Sequence, residues 1–552
     1  MKKSLKFYLG LLVFSLIISI PLLIPYIHSG YFPTHDGEWA VVRLADMFRE
    51  IRDFQLPPRY SGNLNFGYGY PLFNFAYPFP YYVGLIVHLL GLGFVSSIKF
   101  VFALTIPISA FFMFLASRNI WKNDYAGLVS SVLYLYFPYH LVDLFVRGSI
   151  GESVAFALFP IILFSLSKLI NNPKLRTFEI IGAFSYAALI VTHNIMAVLF
   201  SLTLLIYFLG SFATHGKKIL RPFLFMGFFG FVLSAFFFVP ALLEKHNILL
   251  SVVPIENRNL FFVSFKQLLF SPWGYGVPTD PKDGFTYQLG WPFLVVLVAL
   301  IGSLLYQFSR KVKRSSDNVL ATVFLAGALI LGLFLFSFSK ILWKLPLLSE
   351  INFPWTMLSQ LGLILSLLAG YLTKFKYTKI IAFAALFMAL IIYIPLAKPQ
   401  SYIDKGDGYY FTNDATTTSS DELMPLWVKS YPNQRPDKKV LILNGQGSVS
   451  NIVFNSKKIS FSVNNLTPAS VRINTIYYPG WKVMDNGTQT LISYNNRYGV
   501  MDINLGAGNH MIIAKFSETP LRLVSDLISL LGLLVLVFLL VKGLSIKSYV
   551  RR

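Results

Sequence analysis

The chain has 552 residues, of which 55% are hydrophobic, 16% aromatic and only 13% charged. A soluble domain carries about 25% charged residues, so this composition excludes an ordinary water-soluble fold and makes the bilayer the natural solvent. The formal charge of +22 would suggest nucleic acid in a soluble protein, but Lys and Arg sit mostly in short loops between apolar runs, where membrane topology accounts for them and no nucleic-acid partner is expected. The absence of Cys excludes disulfides, thiolate nucleophiles and Cys-ligated metals.

A spanning helix needs about 20 mostly apolar residues. Such runs occupy 5–27, 98–117, 125–140, 153–170, 178–192, 195–213, 222–243, 289–308, 318–337, 353–372, 379–396 and 521–542. The first follows Lys2, Lys3 and Lys6 as a signal peptide would, yet no small-residue cleavage site is obvious, so it reads as an uncleaved first span. A thirteenth run, 77–95, is flanked by Pro78, Pro80 and Gly91. If it does not cross, the N-terminus and one set of basic groups share the cytoplasmic side: Arg118 and Lys122; Lys174 and Arg176; Lys217, Lys218 and Arg221; Arg310, Lys311, Lys313 and Arg314; Lys374, Lys376 and Lys379; and the tail Lys542, Lys547, Arg551 and Arg552. If it crosses, every one of those loops flips outward. The run is therefore expected to lie in or dip into the outer face. That leaves about twelve spans, with a transmembrane domain over 1–396 and a long first outer loop over 28–97.

Residues 397–520 are polar and rich in Asn, Thr and Gly. Alternating runs at Val440 to Leu443, Ile459 to Val463, Val471 to Tyr477 and His510 to Phe516, with turn signals Asn444-Gly445 and Asn486-Gly487, predict an extracytoplasmic β-sandwich. Residues 521–552 supply the last span and a basic cytoplasmic tail. No internal repeat is apparent. Asn465-Leu466-Thr467 and Asn486-Gly487-Thr488 match the N-glycosylation pattern, which acts only in a host that glycosylates.

Charges outside the spans are few. Asp36 and Glu38 follow the first span and open a helical pattern, with Val41, Leu44, Phe48 and Ile51 on one side and Arg43, Asp46, Arg49 and Glu50 on the other. Such a helix would lie flat on the membrane. Asp36 is either a plain N-cap or a membrane-face carboxylate available as a base or ligand. His140, Asp143, Arg147, Gly148 and Glu152 form a second group; charge beside a membrane core tends to mark a site, while Asp143 and Arg147 also have the i,i+4 spacing of a weak surface pair. His193-Asn194 reads as a polar cap or a site residue, Lys245 as a snorkelling side chain, and Glu350 as a helix-start carboxylate. The aromatic stretch Asn65 to Tyr82 suits an interfacial belt or a sugar-stacking surface. No Walker, His-Glu-x-x-His or dinucleotide motif is present.

Several motifs carry a resemblance. They are His35-Asp36-Gly37; Pro58-Arg59-Tyr60 with Gly67-Tyr68-Gly69 and Pro71-Leu72-Phe73; Asp143 through Arg147-Gly148 to Gly151-Glu152; Thr192-His193-Asn194; Asn352-Phe353-Pro354-Trp355; Asp414-Ala415-Thr416-Thr417; and Tyr477-Tyr478-Pro479-Gly480-Trp481. In this order they resemble the GT-C superfamily of membrane glycosyltransferases. More narrowly, the chain resembles bacterial membrane proteins labelled "6-pyruvoyl-tetrahydropterin synthase-related" and their YfhO-type relatives. One departure is Thr356, where the family often has Arg. The soluble synthase of that label binds zinc through a His cluster, and the eight His here are scattered.

The resemblance implies sugar transfer from a polyprenyl-phosphate-linked donor to an extracytoplasmic glycan or lipid acceptor. It implies Asp36 as the base, with Glu38, Asp143 and Glu152 orienting the acceptor or binding a divalent metal ion. Arg147 and Arg59 would hold phosphate, and His193 would add a further substrate contact. Two other classes stay open on the residues alone: a transporter or flippase of lipid-linked sugars, and a non-catalytic envelope-assembly scaffold.

Overall fold

The computed structural model describes residues 2–252, 258–278, 284–310 and 315–549. Lys311, Lys313, Arg314, Arg551 and Arg552, which the charge argument used, lie outside these residues. Among the described residues, nine helical runs are long and apolar enough to cross a membrane, and a tenth is formed if the bent pair Asp124–Leu135 and Pro138–Arg147 counts as one. The longest run, Asn194–Asn247, is about 80 Å of helix at 1.5 Å per residue, far more than one bilayer core of about 30 Å. It doubles back. Arg221 pairs with Glu179 at 3.1 Å, and a Cβ on Gly230 would strike the ring of Tyr186. Helices Arg176–Thr192 and Leu220–Leu243 are therefore parallel, and Asn194–His215 returns between them.

Within the run 77–95, the helix Phe79–Leu89 has 11 residues and is about 16 Å long, too short to cross, and Phe94 already opens the next helix, Phe94–Trp121. At the centre lies the helix Leu358–Leu372, buried along its whole length. Its Gln360 accepts from Thr203 Oγ1 at 2.8 Å, so the polar group inside the bundle is paired. Basic residues gather at one end: Arg118 lies 4.3 Å from the Phe7 ring, Lys379 lies 3.3 Å from the Tyr125 ring, and Lys374 Nζ donates to the Trp121 carbonyl at 3.3 Å.

The other end carries a sandwich of two antiparallel sheets. Its strands are β1 (Val440–Asn444), β2 (Gly447–Phe454), β3 (Lys458–Asn465), β4 (Ala469–Ile476), β5 (Trp481–Asp485), β6 (Thr488–Thr490), β7 (Val500–Leu505) and β8 (Gly508–Phe516). One sheet has the order β1-β4-β7, the other β2-β3-β8-β5-β6. The alternation read from sequence places Ile459, Phe461 and Val463 of β3, and Ile512, Ala514 and Phe516 of β8, in the core. Asn486-Gly487 closes the β5–β6 hairpin with both residues at positive φ, as a two-residue turn of this kind requires. The sandwich is tied to the bundle by Tyr478 Oη, which donates to Glu244 Oε2 at 3.2 Å beside the Arg522–Glu244 ion pair of the bundle helices, and to the first loop by Tyr60 Oη, which donates to the Ile476 carbonyl at 2.7 Å.

Three local expectations differ from the structure. The helix Gly37–Arg52 does not present its polar side to water. Asp46 and Glu50 are fully buried, because the chain folds back over them: Ser61 Oγ donates to Asp46, Gln55 Nε2 to Glu50, and the Gly62 amide to Glu50 at 3.1 Å. The aromatics of Asn65 to Tyr82 are not a lipid-facing belt, since Tyr68, Tyr70 and Tyr81 are buried against protein. Glu350 is an ion-pair partner for Lys245, which gives both residues a tertiary role that local sequence does not show.

Candidate functional site

The site is built where the chain leaving the first span meets the bent segment. Pro138 cannot continue the helix that ends at Leu135; the axis turns by 44°, and the segment closes in a π-helical turn over Asp143–Arg147. Such turns are frequent at functional sites. Gly148 ends the turn with φ +61°, and a Cβ there would collide with Thr34 Oγ1. Glycine therefore lets the loop 34–37 lie directly on the turn. The His35 amide donates to the Val146 carbonyl at 3.1 Å, and the Asp36 amide to the Arg147 carbonyl at 2.8 Å.

This contact brings Asp36, Asp143, Arg147, Glu152 and His193 together. Arg147 forms a tight ion pair with Glu152 and stands 3.9 Å from Asp36 Oδ2 and 4.0 Å from Asp143 Oδ1. Tyr139 Oη accepts from Arg147 at 3.2 Å and donates to Glu152 Oε2 at 2.7 Å. Ser153 Oγ donates to Asp143 Oδ2 at 2.7 Å. The Trp355 ring lies 4.8 Å from the Arg147 guanidinium, a cation–π contact that fixes its plane. Asp143 and Glu152 are almost inaccessible, whereas the Asp36 side chain is 40% exposed. Asp36 makes no side-chain cap; Thr34 Oγ1 accepts from the Gly37 amide at 3.0 Å instead. Two buried polar atoms around the cluster, Asp143 Oδ1 and Trp355 Nε1, have no hydrogen-bond partner among the described residues.

His193 serves two purposes. Its Nδ1 accepts from the Met196 amide at 3.3 Å, which is the capping role, and that bond leaves Nε2 to face Glu152 Oε1 at 3.9 Å. Burial holds the imidazole down at about 4, so it is neutral at physiological pH. Burial likewise lowers His35, whose Nε2 lies 3.3 Å from the Tyr275 carbonyl. Gly151 lets Tyr77 and His193 pack closely, and the Tyr77 ring stacks on His193 at 5.3 Å and on Tyr81 at 6.1 Å. Beyond Tyr81 lies Arg43, whose Nε donates to Thr417 Oγ1 at 3.0 Å and whose Nη2 donates to the Thr417 carbonyl.

Two candidates stand apart. Glu38 points away from Asp36 and takes Lys405 at 2.8 Å and Tyr410 Oη at 3.1 Å. Arg59 is fully buried elsewhere, donating to the Phe236 carbonyl and to Asp526, each at 2.7 Å, and to Glu518 at 3.4 Å. Those partners give Arg59 a structural place between the first loop and the last helix. Of the suggested metal ligands, Asp143 and Glu152 meet at the Arg147 guanidinium while Glu38 lies apart, and no three His, Asp or Glu side chains among the described residues form a metal-holding group. The residues present do not fit a metal.

Arg43, Tyr77, Tyr139 and Trp355 were not singled out from sequence. Trp355 lay in the Asn352-Phe353-Pro354-Trp355 motif, and Tyr77 lay in the aromatic stretch. Arg43 follows Asp36 by seven residues, which returns it to the same helical face. Thr356, next to Trp355, donates to the Phe353 carbonyl at 2.7 Å and so acts locally.

Among solved structures, the chain is similar to the apo oligosaccharyltransferase of Archaeoglobus fulgidus, with 15% identity, a TM-score of 0.45, 77% of this chain covered and 62% of that one. The arabinofuranosyltransferase AftD from Mycobacteria has 15% identity and a TM-score of 0.44, with 72% of this chain and 27% of that chain covered. An uncharacterized protein of Lactococcus lactis subsp. cremoris (strain MG1363) is 24% identical over 255 residues, or 44% of this chain. The chain matches 40% of that relative's length. The family model described as "6-pyruvoyl-tetrahydropterin synthase related domain; membrane protein" matches residues 73–401. That match takes in more than half of the 552 residues, and the chain belongs to this family of membrane proteins.

Proposed function

We propose that this membrane protein is a GT-C-type glycosyltransferase that moves a sugar from a polyprenyl-phosphate-linked donor to an extracytoplasmic glycan or lipid acceptor. The sandwich and the site face outward, and the basic end of the bundle faces the cytoplasm. The gathering of Arg118, Lys374 and Lys379 away from the sandwich supports that orientation.

One observation carries the reading. Asp36 is an accessible carboxylate without a capping bond, held by its backbone amide against the Arg147–Glu152 pair. A carboxylate so placed can take the proton of an acceptor hydroxyl as its oxygen attacks the anomeric carbon. The bond from that carbon to the phosphate oxygen breaks, and the electron pair leaves with the phosphate. The transition state resembles an oxocarbenium ion. Arg147 and Glu152 act by position: the guanidinium, fixed between Glu152, Tyr139 and Trp355, orients Asp36 from 3.9 Å away. The lipid tail of the donor stays in the bilayer.

The test is sugar transfer by purified Asp36→Asn against wild type, using labelled sugars on a panel of polyprenyl-phosphate donors. Loss of the base is expected to lower transfer about a hundredfold to ten-thousandfold with unchanged folding. Equal transfer by both would remove Asp36 as the base and leave Asp143 and Glu152 as the candidates.

A further inference from the structure

We propose that Arg43, rather than Arg147, is the cation that receives the phosphate of the lipid carrier, an assignment that rests on the glycosyl-transfer reading above. Arg147 brings one positive charge and faces three carboxylates, those of Asp36, Asp143 and Glu152. An anion placed there would meet more acid than base.

Arg43 has the opposite surroundings. Its hydrogen bonds go to Thr417 Oγ1 and the Thr417 carbonyl, and its other electrostatic neighbours are the phenols of Tyr70, Tyr77 and Tyr81. Among the described residues it has no carboxylate partner within 4.0 Å. Arg43 is half-buried and so reachable from outside, and an arriving anion would supply the counter-ion it lacks.

The geometry joins this cation to the base. Asp36 and Arg43 lie on one helical face, about 10 Å apart along the axis. An arginine side chain and one phosphate ester can bridge that span. Tyr77 and Tyr81 line the way, since Tyr77 stacks on both His193 and Tyr81. A phosphate at Arg43 would gain charge-assisted hydrogen bonds while the attached sugar extends toward Asp36.

The test measures binding of decaprenyl phosphate, decaprenol and inorganic phosphate to the full chain in one detergent, by native mass spectrometry. Wild type is expected to bind the lipid phosphate at least about tenfold more tightly than the alcohol. Arg43→Gln should lose that preference, about tenfold to a hundredfold. Arg43→Lys should recover part of it, and Thr417→Val should keep it, because the cation remains. Three results would overturn the assignment: no preference in wild type, an undiminished preference in Arg43→Gln, or a loss in Thr417→Val as complete as in Arg43→Gln, which would make Arg43 a structural tie. Inorganic phosphate binding as tightly as the lipid phosphate, and equally dependent on Arg43, would overturn the lipid carrier as its ligand.

Sugar transfer separates this assignment from the reading it rests on. An Arg43-dependent preference with no transfer from any donor keeps the anion site and removes the glycosyl-transfer reading. Wild-type transfer by Arg43→Gln does the reverse.

Discussion

Arg522 and Arg147 both meet buried carboxylates, and the two clusters differ in how open their acids are to water. At Arg522, both oxygens of Glu244 are taken: the guanidinium donates to each, and Asn74 Nδ2 at 2.8 Å, Tyr478 Oη at 3.2 Å and Thr519 Oγ1 at 3.3 Å donate as well. The cluster joins the first loop, the end of the helix Leu220–Leu243, the sandwich and the last helix, and Glu244 accepts from all of them. At Arg147, Asp36 is open on one side, and Asp143 Oδ1 and Trp355 Nε1 have no hydrogen-bond partner among the described residues. Both clusters keep buried polar atoms without a hydrogen bond among the described residues, Arg522 Nη1 and Asn74 Oδ1 in one and Asp143 Oδ1 and Trp355 Nε1 in the other. The difference therefore lies in the acid: the closed cluster buries Glu244 with both oxygens bonded and holds parts of the fold together, whereas the accessible Asp36 leaves room for a ligand.

The largest effect expected from this contrast is on stability at the closed cluster. Glu244→Gln leaves Arg522 buried without its counter-ion and should cost about 3–5 kcal/mol, read as a fall in the thermal unfolding midpoint in detergent. A midpoint equal to wild type would show that the cluster is not what ties sandwich to bundle.

A smaller effect with the opposite sign is expected at Asp46. Burial pushes its carboxyl up to about 6 and raises the neighbouring Glu50 as well. A raised carboxyl favours the folded state in its protonated form. That contribution is whole below the ordinary carboxylate range and is lost as pH rises through about 6. Asp46→Asn should therefore stabilise the protein at pH 7–8 by about 1–3 kcal/mol, with the gain fading toward pH 4. A gain independent of pH would assign the effect to packing instead.

The smallest effect sharpens the boundary of the site. Glu38 is paired with Lys405 and Tyr410 on the far side of its helix, so Glu38→Gln should change sugar transfer by about fivefold at most. A loss comparable to that of Asp36→Asn would bring Glu38 back into the chemistry.

Much of the architecture was legible because it rests on local pattern. Apolar runs gave the helices, period-two runs gave β3 and β8, and Asn486-Gly487 gave its hairpin. The convergence of Asp36 with Arg147 could be suspected from charge in neighbouring outer loops. What sequence could not show was direction. Glu38 and Asp36 are two residues apart on a helix and so point to different sides. Arg59 has the residue type of a phosphate ligand, and only the folded chain brings Asp526, far along the sequence, to pair with it. The closed cluster was hidden for the same reason, since Glu244 and Arg522 are brought together only by tertiary folding. Asp46 and Glu50 looked solvent-facing because the segment that covers them follows in the chain as an irregular loop with no periodic signal.

The most direct test of the contrast is a paired measurement of unfolding midpoint and sugar transfer for Asp36→Asn and Glu244→Gln. The account predicts that Asp36→Asn melts like wild type and loses transfer, while Glu244→Gln melts several degrees lower. If Asp36→Asn unfolds early and its transfer falls only in proportion to the folded fraction, the Arg147 cluster is a second clamp and not a catalytic centre.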